Sequence, residues 1–385
     1  MINPLKIGHI TFHYKPIIGG QEIYIKNLID VLDKQGMINT VYQPINRKYN
    51  YFVNDKDVNV KLVFNIPFLG RFINNISKYI YNLFLLTYYL SLKKQDVLIV
   101  HYAFFSTPLW FFKKKVIIVS HGVEWDLESF KLNDLLHNYI AKKSLNRFTV
   151  VANDTHYFRA LGLNVNPAKN YFKQLSSHKW FIPNCIDTNK FDRLNCLVEY
   201  QNKNIILIPR QITKDRGIDL GIKAFYELSK IESNYILLIV GPVREIKYKI
   251  LCDKLINEYQ INNKVIWLHN IDNSKMVNYY SSAKITLIPT LRREGTSLSA
   301  LESMACGCPT VTTNLVGLKD LPTVQADPTP IDLSNKMQFV LNNWEEISKK
   351  QCDDVRNNFN LANWSEAWGN VIRSVVSNND LKMGK

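Results

Sequence analysis

Two glutamates eight residues apart, Glu294 and Glu302, bracket a run of small and hydroxyl residues in "EGTSLSALESMACGCP". The strand-like run "AKITLIPT" comes just before. The pattern predicts strand, loop and helix in succession. Glu294 then sits on the loop, and Glu302 lies one to two turns inside a helix that ends near Gly307 and Pro309. Open parallel sheets bind ligands at the carboxyl ends of their strands. A helix starting there offers unpaired N–H groups and partial positive charge, which suit phosphate oxygens. Thr296 and Ser297 fall at the predicted N-cap, and Gly295 lets the backbone come close. Carboxylates are poor phosphate ligands but good acceptors for sugar hydroxyls. One could hold a transferred sugar and the other a ribose, on either side of a diphosphate. Two acids at this spacing are also common as solvated side chains; the strand–loop–helix context and the small residues between them favour the site.

The elements that must position these residues occur in two series. Apolar runs in the first half are "KIGHITF", "VNVKLVF", "DVLIVHY", "KVIIVSH" and "RFTVVAN". The amphipathic stretch after the first of them puts Ile25, Leu28, Ile29 and Leu32 on one helix face and stops at Gly36. The pattern restarts with "NIILIPR", "YILLIVG", "KVIWLHN", "AKITLIPT" and "CPTVTTN", separated by helix-length stretches. Continuous rather than alternating apolar runs mark strands buried on both faces, hence parallel sheets between helices. The predicted fold class is α/β, with two Rossmann-like doubly wound domains. One spans 1–190 and the other 197–362, joined near "IPNCIDTNKFDRLNC". A short helix in 363–385, with Trp364 and Trp368 at helical spacing, is expected to pack back toward the first domain.

The formal net charge of +15 is uneven: residues 1–190 carry 24 Lys+Arg against 12 Asp+Glu, and the rest 24 against 21. A basic half suits an anionic partner, such as a membrane surface or acidic glycan. The alternative is a chain simply rich in lysine. No nucleic-acid-binding motif is present. The six cysteines show no zinc or CxxC spacing and fit reduced thiols in a cytosolic protein, with Cys306 and Cys308 as small packing residues. "MINPLKIGHITF" lacks the layout of a signal peptide. "YIYNLFLLTYYLSL", residues 79–92, is too short to span a bilayer. It reads as a mostly buried helix, or as a membrane-facing one bracketed by Lys78, Lys93 and Lys94.

"REGTSLSALESMACGCPTVTTNLVGLKDL" resembles the E-x7-E signature of the retaining glycosyltransferases of family 4, which have the GT-B fold. Four further stretches match that family. "HYKPIIGGQEIYIKNLIDVLDKQG" resembles its glycine loop, and "VIIVSHGVEWD" its strand-end histidine motif. "FIPNCIDTNKF" resembles the segment before the linker, and "IILIPRQITKDRGIDLGIKAF" the phosphate motif opening the second domain. The resemblance implies two domains around a cleft, acceptor on the first and nucleotide-sugar on the second. It assigns catalytic roles to His121, Arg210, Arg216 and Glu294. Nucleotide-sugar contacts fall to Gly19, Gly20, Gly295, Thr296, Ser297, Leu298, Glu302, His269 and Asn270. Arg210 and Arg216 would stabilise the departing diphosphate, worth roughly 3–4 kcal/mol per good donor. His121 would touch the transferred sugar or support the reacting face. The family's usual Gly-Phe-Gly after the first glutamate is here Gly295-Thr296-Ser297. Its strand-end arginine is displaced by one position at Arg210-Gln211, and its lysine before glycine becomes Arg216.

The implied function is transfer of a hexose or hexosamine from a nucleotide-diphosphate sugar to a hydroxyl of a glycan or lipid-linked acceptor, in cell-envelope polysaccharide synthesis. Front-face attack needs no carboxylate nucleophile. No cofactor or metal is required where arginines neutralise the diphosphate, and the lone D-x-D at Asp55–Asp57 is discounted. The setting is the cytoplasm, with peripheral contact to an anionic membrane face through the basic half. Alternatives are a non-catalytic GT-B partner that binds nucleotide-sugar without turnover, and another GT-B enzyme such as an epimerase or phosphorylase.

Overall fold

The computed structural model describes residues 3–15, 19–45, 59–64, 76–110, 115–122, 132–160, 162–163, 165–194, 197–200, 203–269, 271–292 and 294–380. Asn270 and the Asp55–Asp57 motif lie outside them. The chain forms two compact units: residues 1–182 with 364–385, and residues 183–363.

The first unit is built on eight strands: β1 (Lys6–Ile10), β2 (Ile38–Pro44), β3 (Asn59–Val63), β4 (Val97–Val100), β5 (Lys115–Ser120), β6 (Thr149–Ala152), β7 (Lys173–Ser176) and β8 (Lys179–Phe181). Their order is β3-β2-β1-β4-β5-β6-β8-β7. Every pairing is parallel except β7–β8, an antiparallel edge hairpin that corrects the expectation of purely parallel sheets. Continuous apolarity locates β1, β3, β4, β5 and β6 but not β2, because Asn39, Thr40 and Gln43 interrupt it. All three are buried. Two of them are satisfied by long-range partners: Asn39 Oδ1 lies 2.8 Å from His9 Nε2, and Gln43 Oε1 accepts from the Lys15 N–H at 2.9 Å. The helix Gly20–Lys34 follows β1 and fully buries Ile25, Leu28, Ile29 and Leu32. The helix Leu361–Asp380 is longer than the short helix expected. From Trp364 on it belongs to this unit, where the Trp364 ring meets Tyr24 edge-on at 5.1 Å and Gln35 Nε2 donates to the Ser365 hydroxyl at 2.9 Å.

Residues 79–92 correct another expectation. They fall in a helix, Ile76–Leu85, a 3₁₀ turn, Leu86–Tyr88, and a short helix, Tyr89–Lys93. Tyr81, Leu85 and Leu92 are fully buried, but Leu83 and Leu90 are 65 % and 73 % exposed, and Leu86 and Tyr89 are exposed too. One face packs on the sheet, and the other keeps a row of apolar side chains in solvent. Among the described residues no helix is long and apolar enough to cross a membrane.

The second unit is a six-stranded, wholly parallel sheet. Its strands are β9 (Asn204–Pro209), β10 (Tyr235–Val240), β11 (Val265–Leu268), β12 (Ile285–Ile288), β13 (Thr310–Thr313) and β14 (Val324–Ala326), in the order β11-β10-β9-β12-β13-β14. β14 is three residues long, too short for a periodicity signal. The order reverses between β9 and β12, so the ligand crevice of such a sheet opens at the carboxyl ends of those two strands. Cys306 and Cys308 are buried, and burial pushes both thiol pKa values up, as befits packing residues.

Candidate functional site

The switch point of the second unit gathers the charged residues. Arg210 follows β9 directly, Arg216 closes a 3₁₀ turn ahead of the helix Ile218–Ser229, and Glu294 lies on the loop after β12. Glu294 pairs with both guanidiniums, Oε1 with Arg210 and Oε2 with Arg216. Arg210 also donates to Thr290 Oγ1 at 2.8 Å, and Thr290 donates on to Glu294 at 3.3 Å. Burial lowers both guanidinium pKa values to about 10, still far enough above neutral that both stay charged. Two cations against one anion leave the cluster with a net positive charge. The Arg210 Nε–H is buried and has no partner among the described residues. A buried unpaired donor is costly unless a ligand acceptor meets it.

Backbone contacts fix this geometry. The Leu291 N–H donates to Asp215 O at 3.0 Å, tying the β12 loop to the Arg216 turn. Gly217 has φ +65°, and a Cβ there would stand 1.9 Å from Pro289 O. Gly317 has φ +84°, and a Cβ there would stand 1.7 Å from Glu294 O. Only glycine permits either close approach.

The helix Leu298–Ala305 begins where expected, with Ser297 as N-cap and Leu298 as its first residue. Thr296 is not the cap. Its hydroxyl accepts from the Asn184 N–H at 2.9 Å and its carbonyl from the Asn184 amide, so "FIPNC" anchors the loop. Gly295 is buried beside Glu294. The Ser297 side chain caps nothing; its hydroxyl is buried and unpartnered among the described residues, a second orphan donor at the start of this helix. Glu302 is buried within the helix. Tyr280 donates to its Oε2 at 2.9 Å, and no described hydrogen bond reaches Oε1. Burial raises its pKa to about 7, with the Tyr280 hydrogen bond opposing. His269 lies at the end of β11, its Nδ1 3.2 Å from Gly241 O and its ring near-parallel to Trp267. Sequence reasoning missed Thr290 and Tyr280. Both sit inside stretches that read as strand or packing helix, and only their partners single them out.

In the first unit Gly19 is the N-cap of the helix Gly20–Lys34, and its N–H donates to Glu22 Oε2 at 2.9 Å. Glu22 therefore satisfies one donor of that helix start. His121 follows β5, with its ring edge-on to Tyr24 at 4.7 Å and its Nε2 3.0 Å from His101 Nδ1. Burial lowers the His121 pKa to about 3, so the ring is neutral.

Residues 194–357 match the family model of glycosyl transferases group 1. Over 97 % of its length the chain is 23 % identical to an uncharacterized glycosyltransferase of Methanocaldococcus jannaschii, covering 95 % of that protein. Among solved structures, a sucrose-phosphate synthase from Thermosynechococcus elongatus superposes with a TM-score of 0.78 at 17 % identity. That match covers 97 % of this chain and 99 % of the other. HepE of Anabaena, solved in complex with UDP-glucose, gives a TM-score of 0.71 at 15 % identity over 96 % of this chain and all of that one. The chain has the GT-B fold. Together these likenesses support a glycosyltransferase.

Proposed function

We propose that this GT-B protein is a retaining glycosyltransferase that moves a hexose or hexosamine from a nucleoside-diphosphate sugar to a hydroxyl of a glycan or lipid-linked acceptor. The carrying observation is the Arg210–Glu294–Arg216 cluster at the switch point of the second unit. Its net positive charge suits a diphosphate, and the unpartnered Arg210 Nε–H and Ser297 hydroxyl are donors for phosphate oxygens. Glu294 then accepts from a hydroxyl of the transferred sugar, and the free Oε1 of Glu302 from the ribose. The acceptor hydroxyl attacks the anomeric carbon on the face the diphosphate leaves. The bond from that carbon to the phosphate oxygen breaks as the new glycosidic bond forms, and the hydroxyl proton passes to the departing phosphate. Arg210 and Arg216 stabilise the charge that develops on it. No step calls for a metal.

The chemistry of similar proteins supports the donor class. HepE is solved with UDP-glucose, and a serotype-specific mannosyltransferase of Escherichia coli is 25 % identical over 40 % of this chain, though the match spans only 18 % of that protein. The basic first half and its exposed apolar row suit an anionic, lipid-linked acceptor at the cytosolic membrane face, the setting of cell-envelope polysaccharide synthesis.

Thermal-shift screening against UDP-, GDP-, ADP- and CMP-sugars tests the reading. One nucleotide series raises the melting temperature in proportion to its affinity. Slow hydrolysis of that donor releases sugar that first appears in the donor's own anomeric configuration. Absence of stabilisation at millimolar concentration, or the opposite anomer, contradicts the proposal. Binding with the donor left intact identifies a non-catalytic binder instead.

A further inference from the structure

Four neighbouring strands of the first unit carry one continuous hydrogen-bonded chain. Asn39 on β2 donates through Nδ2 to Asp33 Oδ1 at 2.7 Å. Its Oδ1 lies 2.8 Å from Nε2 of His9 on β1. His9 Nδ1 lies 3.2 Å from Nε2 of His101, after β4, and His101 Nδ1 lies 3.0 Å from Nε2 of His121, after β5. His9 and His101 are fully buried, and the three rings lie in near-parallel planes.

The polarity of this chain follows from its exposed end. A carboxylate only accepts, so Asp33 fixes which way the Asn39 amide points. Asn39 Oδ1 then accepts, so His9 carries its proton on Nε2. A neutral ring with Nε2–H offers Nδ1 as a lone pair, which accepts from His101 Nε2–H. The same logic passes to His121. Burial keeps all three rings neutral by lowering their pKa values, to about 4 for His9 and about 3 for His121. The edge of Tyr24 against His121 holds the last ring in place. Among the described residues nothing bonds to His121 Nδ1.

We propose that Asp33, Asn39, His9 and His101 are positioning residues that lock His121 as its Nε2–H tautomer, presenting Nδ1 as a fixed acceptor for a substrate hydroxyl. The substrate half of this inference rests on the glycosyltransferase reading; the tautomer half does not.

Long-range 1H–15N spectra of the full-length, deuterated, 15N-histidine-labelled protein test it, with His121 assigned by its loss in His121→Ala. The wild type shows His121 as a single Nε2–H tautomer. Asp33→Asn changes an exposed side chain so that it can donate, which frees the Asn39 amide to reverse; Asn39→Leu removes the link to His9. Both variants show His121 as a mixture of tautomers. An even mixture halves the competent fraction and weakens apparent substrate affinity about twofold. A wild-type His121 protonated on Nδ1, or a tautomer unmoved in both variants, overturns the chain. A shifted tautomer with unchanged donor and acceptor affinities overturns only the role at substrate. Failure of every nucleotide-sugar to bind the wild type counts against the glycosyltransferase reading and leaves the tautomer result standing.

Discussion

Glu302 carries two demands on one carboxyl. Burial lifts its folded pKa to about 7, above the ordinary glutamate value of 4.5. The folded state therefore holds a proton that the unfolded state releases between those values. The stability this brings is full below pH 4.5 and is lost as pH rises through 7. Ionised, the buried carboxylate costs on the order of 3 kcal/mol after the Tyr280 hydrogen bond has offset part of the burial. Glu302→Gln removes that cost, so the variant melts a few degrees above the wild type at pH 8 and level with it near pH 4.5. The same change weakens nucleotide binding by about 1–3 kcal/mol, since the charged acceptor for the ribose is gone. Melting curves at both pH values, with calorimetric titration of the nucleotide, check this. Unchanged affinity would withdraw the ribose assignment.

At the scale of elements, the site depends on loops pinned to one another rather than on helix or strand interiors. Glu294 reaches both arginines because the Gly317 segment closes against its carbonyl and Gly217 closes against Pro289. Gly317→Ala places a methyl group inside the van der Waals radius of Glu294 O at a positive φ. The variant loses on the order of 3 kcal/mol in a urea melt and loses donor binding with it, because the Glu294 loop must move. Wild-type stability and affinity in that variant would show that the loop tolerates displacement. The surprise of the first unit, strand β2, belongs to this scale too. Its buried Asn39 and Gln43 break the apolar pattern yet are held by partners far along the chain.

For the whole molecule, net charge and exposed apolar surface act together. Leu83, Leu86, Tyr89 and Leu90 stand in solvent next to the exposed Lys93 and Lys94, within the half that carries most of the excess positive charge. Apolar insertion and attraction to anionic lipid add in such an arrangement. The protein is expected to co-sediment with vesicles containing anionic phospholipid, less with zwitterionic ones, and less as salt is raised. Leu86→Glu with Leu90→Glu reduces that fraction without changing nucleotide binding. Equal sedimentation with both lipids would separate the charge asymmetry from membranes.

The amino-acid sequence by itself determined the two α/β units and the strand–loop–helix frame of Glu294 and Glu302, because continuous apolar runs, glycines and helix-period faces are local signals. The same signals place Arg210 and His121 at strand ends. Local signals stop at β2, at the antiparallel β7–β8 edge and at the two-faced helix–turn–helix segment over residues 79–92. At β2 and over residues 79–92, partners distant in the chain decide which residues are buried; β7 and β8, four and three residues long, are too short to leave a periodic signal. Only the tertiary structure could pair Glu294 with both arginines, put Tyr280 on Glu302, or line up Asn39, His9, His101 and His121 across four strands. A hydrogen bond needs its donor and acceptor within about 3 Å, and closeness of that kind between residues up to 92 positions apart is set by strand order, which residue spacing does not encode.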